Sequence, residues 1–231
     1  MTTIPANLQA VGQRIAQACA AAGRNPAAVR LLAVSKTFPL EAIRAAVATG
    51  QRSFGESYVQ EALPKIAALE DQGLEWHFIG PLQSNKTRPV AEHFDWVHSV
   101  ARLKIAERLS AQRPDSLPRL NVCLQVNVSG EESKDGCDPA QALDLAVAIA
   151  ELPRLHLRGL MTIPAPTDDP TRQRRAFAAL RETQEHINAE AGLELDTLSM
   201  GMSHDLEAAI MEGATLVRVG SAIFGERDYP T

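Results

Sequence analysis

Eight short runs rich in β-branched residues, each followed by a longer helix-forming stretch, predict an α/β protein, a closed (β/α)8 barrel of the TIM type preceded by one extra helix. The chain has 231 residues, a length that such a barrel fills as one unit, so residues 1–231 are read as a single domain. No low-complexity linker interrupts the alternation.

Taken in order, the extra helix spans residues 4 to 22, where Pro5 sits at the start, Ala and Gln fill the interior and Gly23 is the stop signal. The strands are LLAVSK (31–36), RSFGE (52–56), EWHFIG (75–80), DWVHSV (95–100), LNVCLQVNV (120–128), LHLRGLMTI (155–163), DTLSMG (196–201) and TLVRVGSAIF (215–224). Between the first two, PLEAIRAAVATG has Pro39 at a helix start and Gly50 at its end. The alternative, an open doubly wound sheet, would put a GxGxxG turn after the first strand, but that strand ends in VSKTFP.

Composition narrows the function classes. Hydrophobic residues make up 45% and charged residues 22%, as in an ordinary globular protein, and the 4% aromatic share calls for an aliphatic core. A net charge of -5 gives no basic stripe, which excludes nucleic acid as a main partner. The three cysteines, Cys19, Cys123 and Cys137, form no CxxC pair and fit a reducing compartment. With no signal-peptide pattern and no window of about 18 apolar residues, the expected location is the cytoplasm, away from membrane.

Barrel chemistry gathers at the C-terminal ends of the strands. Lys36 alternates with Leu32 and Val34, so an inward-facing set would bring its amine to the barrel mouth. Burial there favours the neutral amine that attacks an aldehyde, whereas the bland alternative pairs Lys36 with a strand-end carboxylate such as Glu56. The stretch LSMGMSHDLEAAI reads as strand, turn and a helix beginning near Ser203, with Asp205 and Glu207 in its first turn. Such a start either binds phosphate, together with Gly220 and Ser221 after the last strand, or is a plain helix cap. Arg218 shares a face with Gly220, and if inward needs a partner, either a carboxylate such as Glu56 or a ligand atom. His77, His93 and His98 lack metal-site spacing and read as structural histidines, so no metal site is expected. No GxSxG elbow is present. Arg172, Arg174 and Arg175 read as a solvated helix face, and Lys65, Lys86 and Lys134 as surface charges.

The motifs LLAVSKTFP, SFGESYVQEALPKI, WHFIGPLQSNK, LRGLMTIP, LSMGMSHDLEAAI and VRVGSAIFG, in this order, resemble the single-domain pyridoxal phosphate homeostasis proteins, which are similar to the N-terminal barrel domain of alanine racemases. The resemblance runs over nearly the whole chain. It implies a fold-type III pyridoxal 5'-phosphate (PLP) barrel with the cofactor held as an imine on Lys36. It implies phosphate contacts from Ser203, Gly220 and Ser221, Arg218 facing the pyridine nitrogen, and Ser57, His77, Asn85 and Met200 around the ring. Two positions depart from the family pattern: Ser57 stands where FGEN is usual, and His204 where a small or acidic residue is more common. Alanine racemases draw a second base, a tyrosine, from a C-terminal β-domain, whereas here the only late tyrosine is Tyr229. The implied role is PLP homeostasis: a monomeric, non-catalytic carrier that holds PLP and passes it transiently to apo PLP-dependent enzymes. The alternatives are a weak PLP-dependent racemase and a class I aldolase-like barrel using Lys36.

Overall fold

In the computed structural model, which describes residues 3–131 and 135–226, every one of the eight runs forms a strand: β1 Arg30–Val34, β2 Ser53–Glu56, β3 Glu75–Phe78, β4 Trp96–Val100, β5 Leu120–Gln125, β6 Leu155–Met161, β7 Thr197–Ser199 and β8 Leu216–Val219. All pair in parallel in chain order, and β8 closes on β1 through Arg30↔Leu216 to Ala33↔Val219. The helices are α1 Ile4–Ala21, α2 Leu40–Ala48, α3 Val59–Ala68, α4 Thr87–His93, α5 Leu103–Gln112, α6 Ala142–Ala150, α7 Pro170–Ala191, α8 Leu206–Met211 and α9 Ser221–Phe224. The open-sheet alternative is excluded by closure. Tyr229 and Lys134 lie outside the described residues.

Strand alternation sorts the core into two parts. Outward residues such as Ala33, Phe54, Phe78, Val97, Leu124, Leu160, Leu198 and Val217 pack against the helices in one large cluster. Inward residues fill the barrel: Leu32 and Leu216 are buried there, Trp96, Cys123 and Met161 form a small cluster, and His77, His98, Ser199 and Arg218 are buried among them. This barrel is therefore polar along its axis. Position 55 faces inward by the same alternation and is a glycine, where a side chain would press on Ile79 and Leu32 at 3.1–3.2 Å.

Three expectations are corrected. The run TLVRVGSAIF is not one strand: β8 ends at Val219 and residues 221–224 turn into α9. The helix expected near Ser203 starts at Leu206: Asp205 holds the cap position but its carboxylate accepts the Met202 N–H at 2.6 Å and closes the preceding turn instead of capping the helix. Ser203 is thus left in the turn before it, a capping choice that residue types alone do not distinguish. Lys65 is no surface charge: it is 9% exposed and ion-paired with the fully buried Glu56 at 2.9 Å.

Among the described residues no helix is long and apolar enough to cross a membrane, and no three His, Cys, Asp or Glu side chains cluster to hold a metal. The three cysteines are free and buried, and burial pushes the Cys123 thiol up to about 12 and Cys137 to about 11.

Candidate functional site

A cavity of 210 Å³ opens at the C-terminal end of the barrel, lined by Val34, Lys36, Ile79, Ile163, Met202, Ser203, His204, Arg218, Gly220 and Ser221. Residues from β1, the turn after β7, and β8 thus meet at one place. Lys36 lies two residues past the end of β1, in a turn where the Phe38 N–H donates to the Ser35 carbonyl at 3.1 Å. The next residue, Thr37, has φ 69°, a left-handed conformation that is unusual for a β-branched residue, and its N–H donates to Glu61 at 3.0 Å. That turn carries the chain away from the mouth immediately after the lysine.

Glu56 takes no part in either pairing that the sequence left open. It points outward from β2, accepts from Ser35 Oγ at 2.7 Å and from Lys65 Nζ at 2.9 Å, and lies against α3. Burial raises its pKa above the ordinary carboxylate value, against the opposing pull of Lys65. Arg218 instead finds oxygen acceptors inside the barrel. Its Nη1 donates to the Ser199 carbonyl at 2.6 Å and hydroxyl at 2.8 Å, and its Nη2 to the Thr162 carbonyl at 2.8 Å. These bonds let a guanidinium that is only 4% exposed sit beneath the cavity, though burial lowers its pKa to about 10.

On the far side of the cavity the Ser221 hydroxyl donates to that of Ser203 at 3.4 Å. Arg14 of α1 braces this turn, with Nη2 on the Ser203 carbonyl at 3.0 Å and Nε on Glu207 at 2.8 Å. Gly201, at φ 91°, lets the backbone leave β7, and a side chain there would meet Ala209 at 2.6 Å.

The structure therefore brings Lys36, Ser203, Arg218, Gly220 and Ser221 to one cavity, and the departure His204 with them. Ser57, His77, Asn85 and Met200 do not line it. Met200 packs in the cluster between barrel and helices, Asn85 is exposed in the short turn Ser84–Lys86, and Ser57 is buried against Gly80. His77 lies within the barrel, bonded to Glu75 and His98. The apolar lining from Ile79, Ile163 and Met202 went unread in the sequence, although Ile79 and Ile163 each occupy a strand-end position.

Positioned lysine, paired hydroxyls and a guanidinium held from within are groups that can bind a small anionic carbonyl compound: one for the carbonyl carbon, two for anion oxygens, one for a further acceptor. Comparison with known proteins accords with that description. Residues 6–228 match the family model described as alanine racemase, N-terminal domain. The chain is similar to the pyridoxal phosphate homeostasis protein of Pseudomonas aeruginosa, at 64% identity over 99% of this chain and 98% of the relative. It is also similar to the protein of that name from Escherichia coli, at 54% identity over 99% of each. Among solved structures it resembles PipY of Synechococcus elongatus with PLP bound, at 41% identity and a TM-score of 0.80, covering 91% of this chain and 100% of that one. The chain thus belongs to the alanine racemase N-terminal domain family, alongside the pyridoxal phosphate homeostasis proteins that match it from end to end.

Proposed function

We propose that this chain binds pyridoxal 5'-phosphate as an imine on Lys36 and serves intracellular PLP homeostasis, holding the cofactor and releasing it to apo-enzymes. One arrangement carries the reading: Lys36, Ser203, Ser221, Gly220 and Arg218 line a single cavity. The name of the two curated relatives and the PLP bound to PipY support it. The residues fit the group, because a phosphate needs the donors that the Ser203 and Ser221 hydroxyls offer, and a pyridine ring suits the apolar lining from Ile79 and Ile163.

When bound, PLP supplies an aldehyde that condenses with a primary amine and loses one water. Lys36 provides that amine and returns to it when a second amine displaces it, so the attachment is reversible. Ser203 and Ser221 anchor the phosphate and set the depth of entry. Arg218 donates to the ring nitrogen; a permanently protonated donor keeps that nitrogen unprotonated and weakens its pull on electrons. A site of this kind holds the cofactor more readily than it stabilises negative charge on a bound amino acid, which fits a carrier better than a racemase.

The test is an absorbance spectrum of the purified protein with added PLP, before and after borohydride reduction, followed by peptide mapping. A long-wavelength band that reduction fixes on Lys36, and that Lys36→Ala abolishes, is expected. A protein that stays colourless and unmodified with excess PLP overturns the reading. Transfer is checked by the rate at which the loaded protein activates an apo PLP-dependent enzyme compared with free PLP.

A further inference from the structure

A continuous line of hydrogen bonds runs through the barrel beneath the cavity. At the N-terminal end of β3, Glu75 pairs with Arg30 of β1 and meets His77 Nε2 at 2.6 Å. His77 Nδ1 meets His98 Nε2 on β4 at 2.8 Å, and His98 Nδ1 meets Ser199 Oγ on β7 at 2.8 Å. Ser199 Oγ accepts from Arg218 on β8 at 2.8 Å. His77, His98 and Ser199 are fully buried. Four bonds therefore link the floor of the barrel to the guanidinium at its mouth.

The two ends decide how the protons lie. An ionised carboxylate can only accept, and a guanidinium can only donate. If both imidazoles are neutral, each contributes one donor and one acceptor, and one assignment alone satisfies all four bonds. Arg218 donates to Ser199, the Ser199 hydroxyl to His98 Nδ1, His98 Nε2–H to His77 Nδ1, and His77 Nε2–H to Glu75. The surroundings keep both rings neutral. Burial lowers the pKa of both histidines; on His77 the Glu75 and Asp95 carboxylates oppose it while Arg30 reinforces it, and on His98 His77, Arg218 and Arg30 reinforce it. Glu75 stays ionised, its pKa about 2 because the bonds and charges of His77 and Arg30 outweigh its own burial.

We propose that Glu75, His77, His98 and Ser199 are positioning residues: a one-way hydrogen-bonded chain that fixes the rotation of Arg218 and the face it presents to the cavity. Ser199 is the joint, since its carbonyl and hydroxyl take two of the three bonds that hold the guanidinium. The consequence for a bound ring nitrogen rests on the cofactor reading given above; the chain itself does not. A single extra proton on His77 would reverse the two middle bonds and turn a second donor on Ser199 Oγ, so the arrangement has only one neutral form.

The chain is tested on the full-length, 15N-labelled protein by NMR, first without cofactor. Long-range imidazole spectra are expected to show both His77 and His98 as neutral Nε2–H tautomers, and Arg218 to show resolved, slowly exchanging Nη protons. In Ser199→Ala the Arg218 protons should exchange about twofold faster or more, the low end of coupling through such networks. Glu75→Leu should release His77 to a mixture of tautomers, whereas Glu75→Gln, which keeps an acceptor at the same place, should preserve the Nε2–H form. An Nδ1–H tautomer or an imidazolium at either histidine overturns the proposal, as does unchanged Arg218 exchange in Ser199→Ala. Should Ser199→Ala fail to fold, the Glu75 pair carries the same test. With PLP added, the pH midpoint of the imine band should move in Ser199→Ala while borohydride still labels Lys36. A wild-type protein with the expected tautomers and a locked Arg218, but no PLP binding, would sink the cofactor reading alone and leave the chain standing.

Discussion

At the residue scale the most costly charge to disturb is Glu56. Its side chain is fully buried, Oε1 is shared by Ser35 and Lys65, and Oε2 has no hydrogen-bond partner among the described residues. Removing the lysine leaves a carboxylate in the space between β1, β2 and α3 with one hydroxyl for company. Lys65→Met should therefore cost about 3–5 kcal/mol, as is usual when one member of a buried pair is removed, and adding Glu56→Gln should recover most of it. The pH dependence has a definite sign. The folded-state pKa of Glu56 is raised above 4.5, so below that pH the acid is protonated in both states and the deficit of Lys65→Met is small. Between 4.5 and the raised value wild type and variant lose stability alike; the deficit opens as pH rises through the raised value, where Lys65 lets the acid ionise in the wild type while the variant keeps it protonated. Urea denaturation of both variants from pH 4 to 8 measures it. Glu75 behaves oppositely: its pKa falls from 4.5 to about 2, so it stabilises the fold above pH 4.5 and that contribution is lost as pH falls toward 2. It is about a third exposed, so solvent screening reduces its share to on the order of 1–2 kcal/mol, and Glu75→Gln should flatten the acid limb of the stability profile by that amount.

Single elements show where the sequence was legible and where it was not. All eight strands were visible because β-branched runs bounded by turn residues report a buried parallel strand directly, and Lys36, Ser203, Arg218, Gly220 and Ser221 were visible because they cluster at strand ends. The start of α8 was not, since Ser203 and Asp205 are both good cap residues and only the fold decides that Asp205 gives its carboxylate to the Met202 N–H of the preceding turn and leaves α8 without a side-chain cap. Lys65 was misread for a similar reason: nothing in PKI shows that one face of α3 covers a buried acid on β2. The inward histidines fit the alternation of β3 and β4, but their bond to each other depends on how those strands are staggered. The turn before α8 gives a direct prediction. Asp205→Ala removes the acceptor for the Met202 N–H, a hydrogen bond of the turn before the helix, and should cost about 1 kcal/mol of stability. Because Ser203 sits inside the turn that this bond closes, Asp205→Ala should also weaken PLP binding, read by titration of the absorbance band, more than Asp138→Ala, which removes the cap of the turn Pro139–Gln141 away from the cavity. Gly159 is the stricter case. At the register shift of β6, a side chain would meet the Thr197 carbonyl at 1.8 Å, so Gly159→Ala must part β6 from β7 and should fail to give a cooperative unfolding transition.

For the molecule as a whole, the cavity lies across the seam where the barrel closes. Most of its walls come from β1 and β8, which close the ring, and from the turn after β7, a strand whose register with β8 consists of Ser199↔Leu216; Ile79 and Ile163 complete the lining. The helix α1 and the turn that follows it tie the same region from outside: from α1, Asn7 Nδ2 donates to the Ile223 carbonyl at 2.8 Å and Arg14 to Ser203 and Glu207, and just past it Arg24 donates to the Ile210 and Ala214 carbonyls at 2.6 and 2.8 Å. A ligand joined to Lys36 after β1 and held by Ser203 and Ser221 after β7 and β8 would bridge the seam from within, so binding should stabilise the closed barrel rather than one loop. A ligand that binds only the folded state at a hundred times its Kd adds about 2.7 kcal/mol, which for a chain of this size raises Tm by about 5–10 °C. Thermal unfolding with increasing PLP should show that rise, and Lys36→Ala, which keeps the phosphate contacts but loses the bond to β1, should show a smaller one that still depends on concentration. Arg14→Leu should lower the Tm of the cofactor-free protein and also shrink the increment from PLP, because the Ser203 turn loses its outer brace. If PLP binds yet leaves Tm unchanged, the cavity is an appendage of the fold and the seam is held by strand pairing and α1 alone.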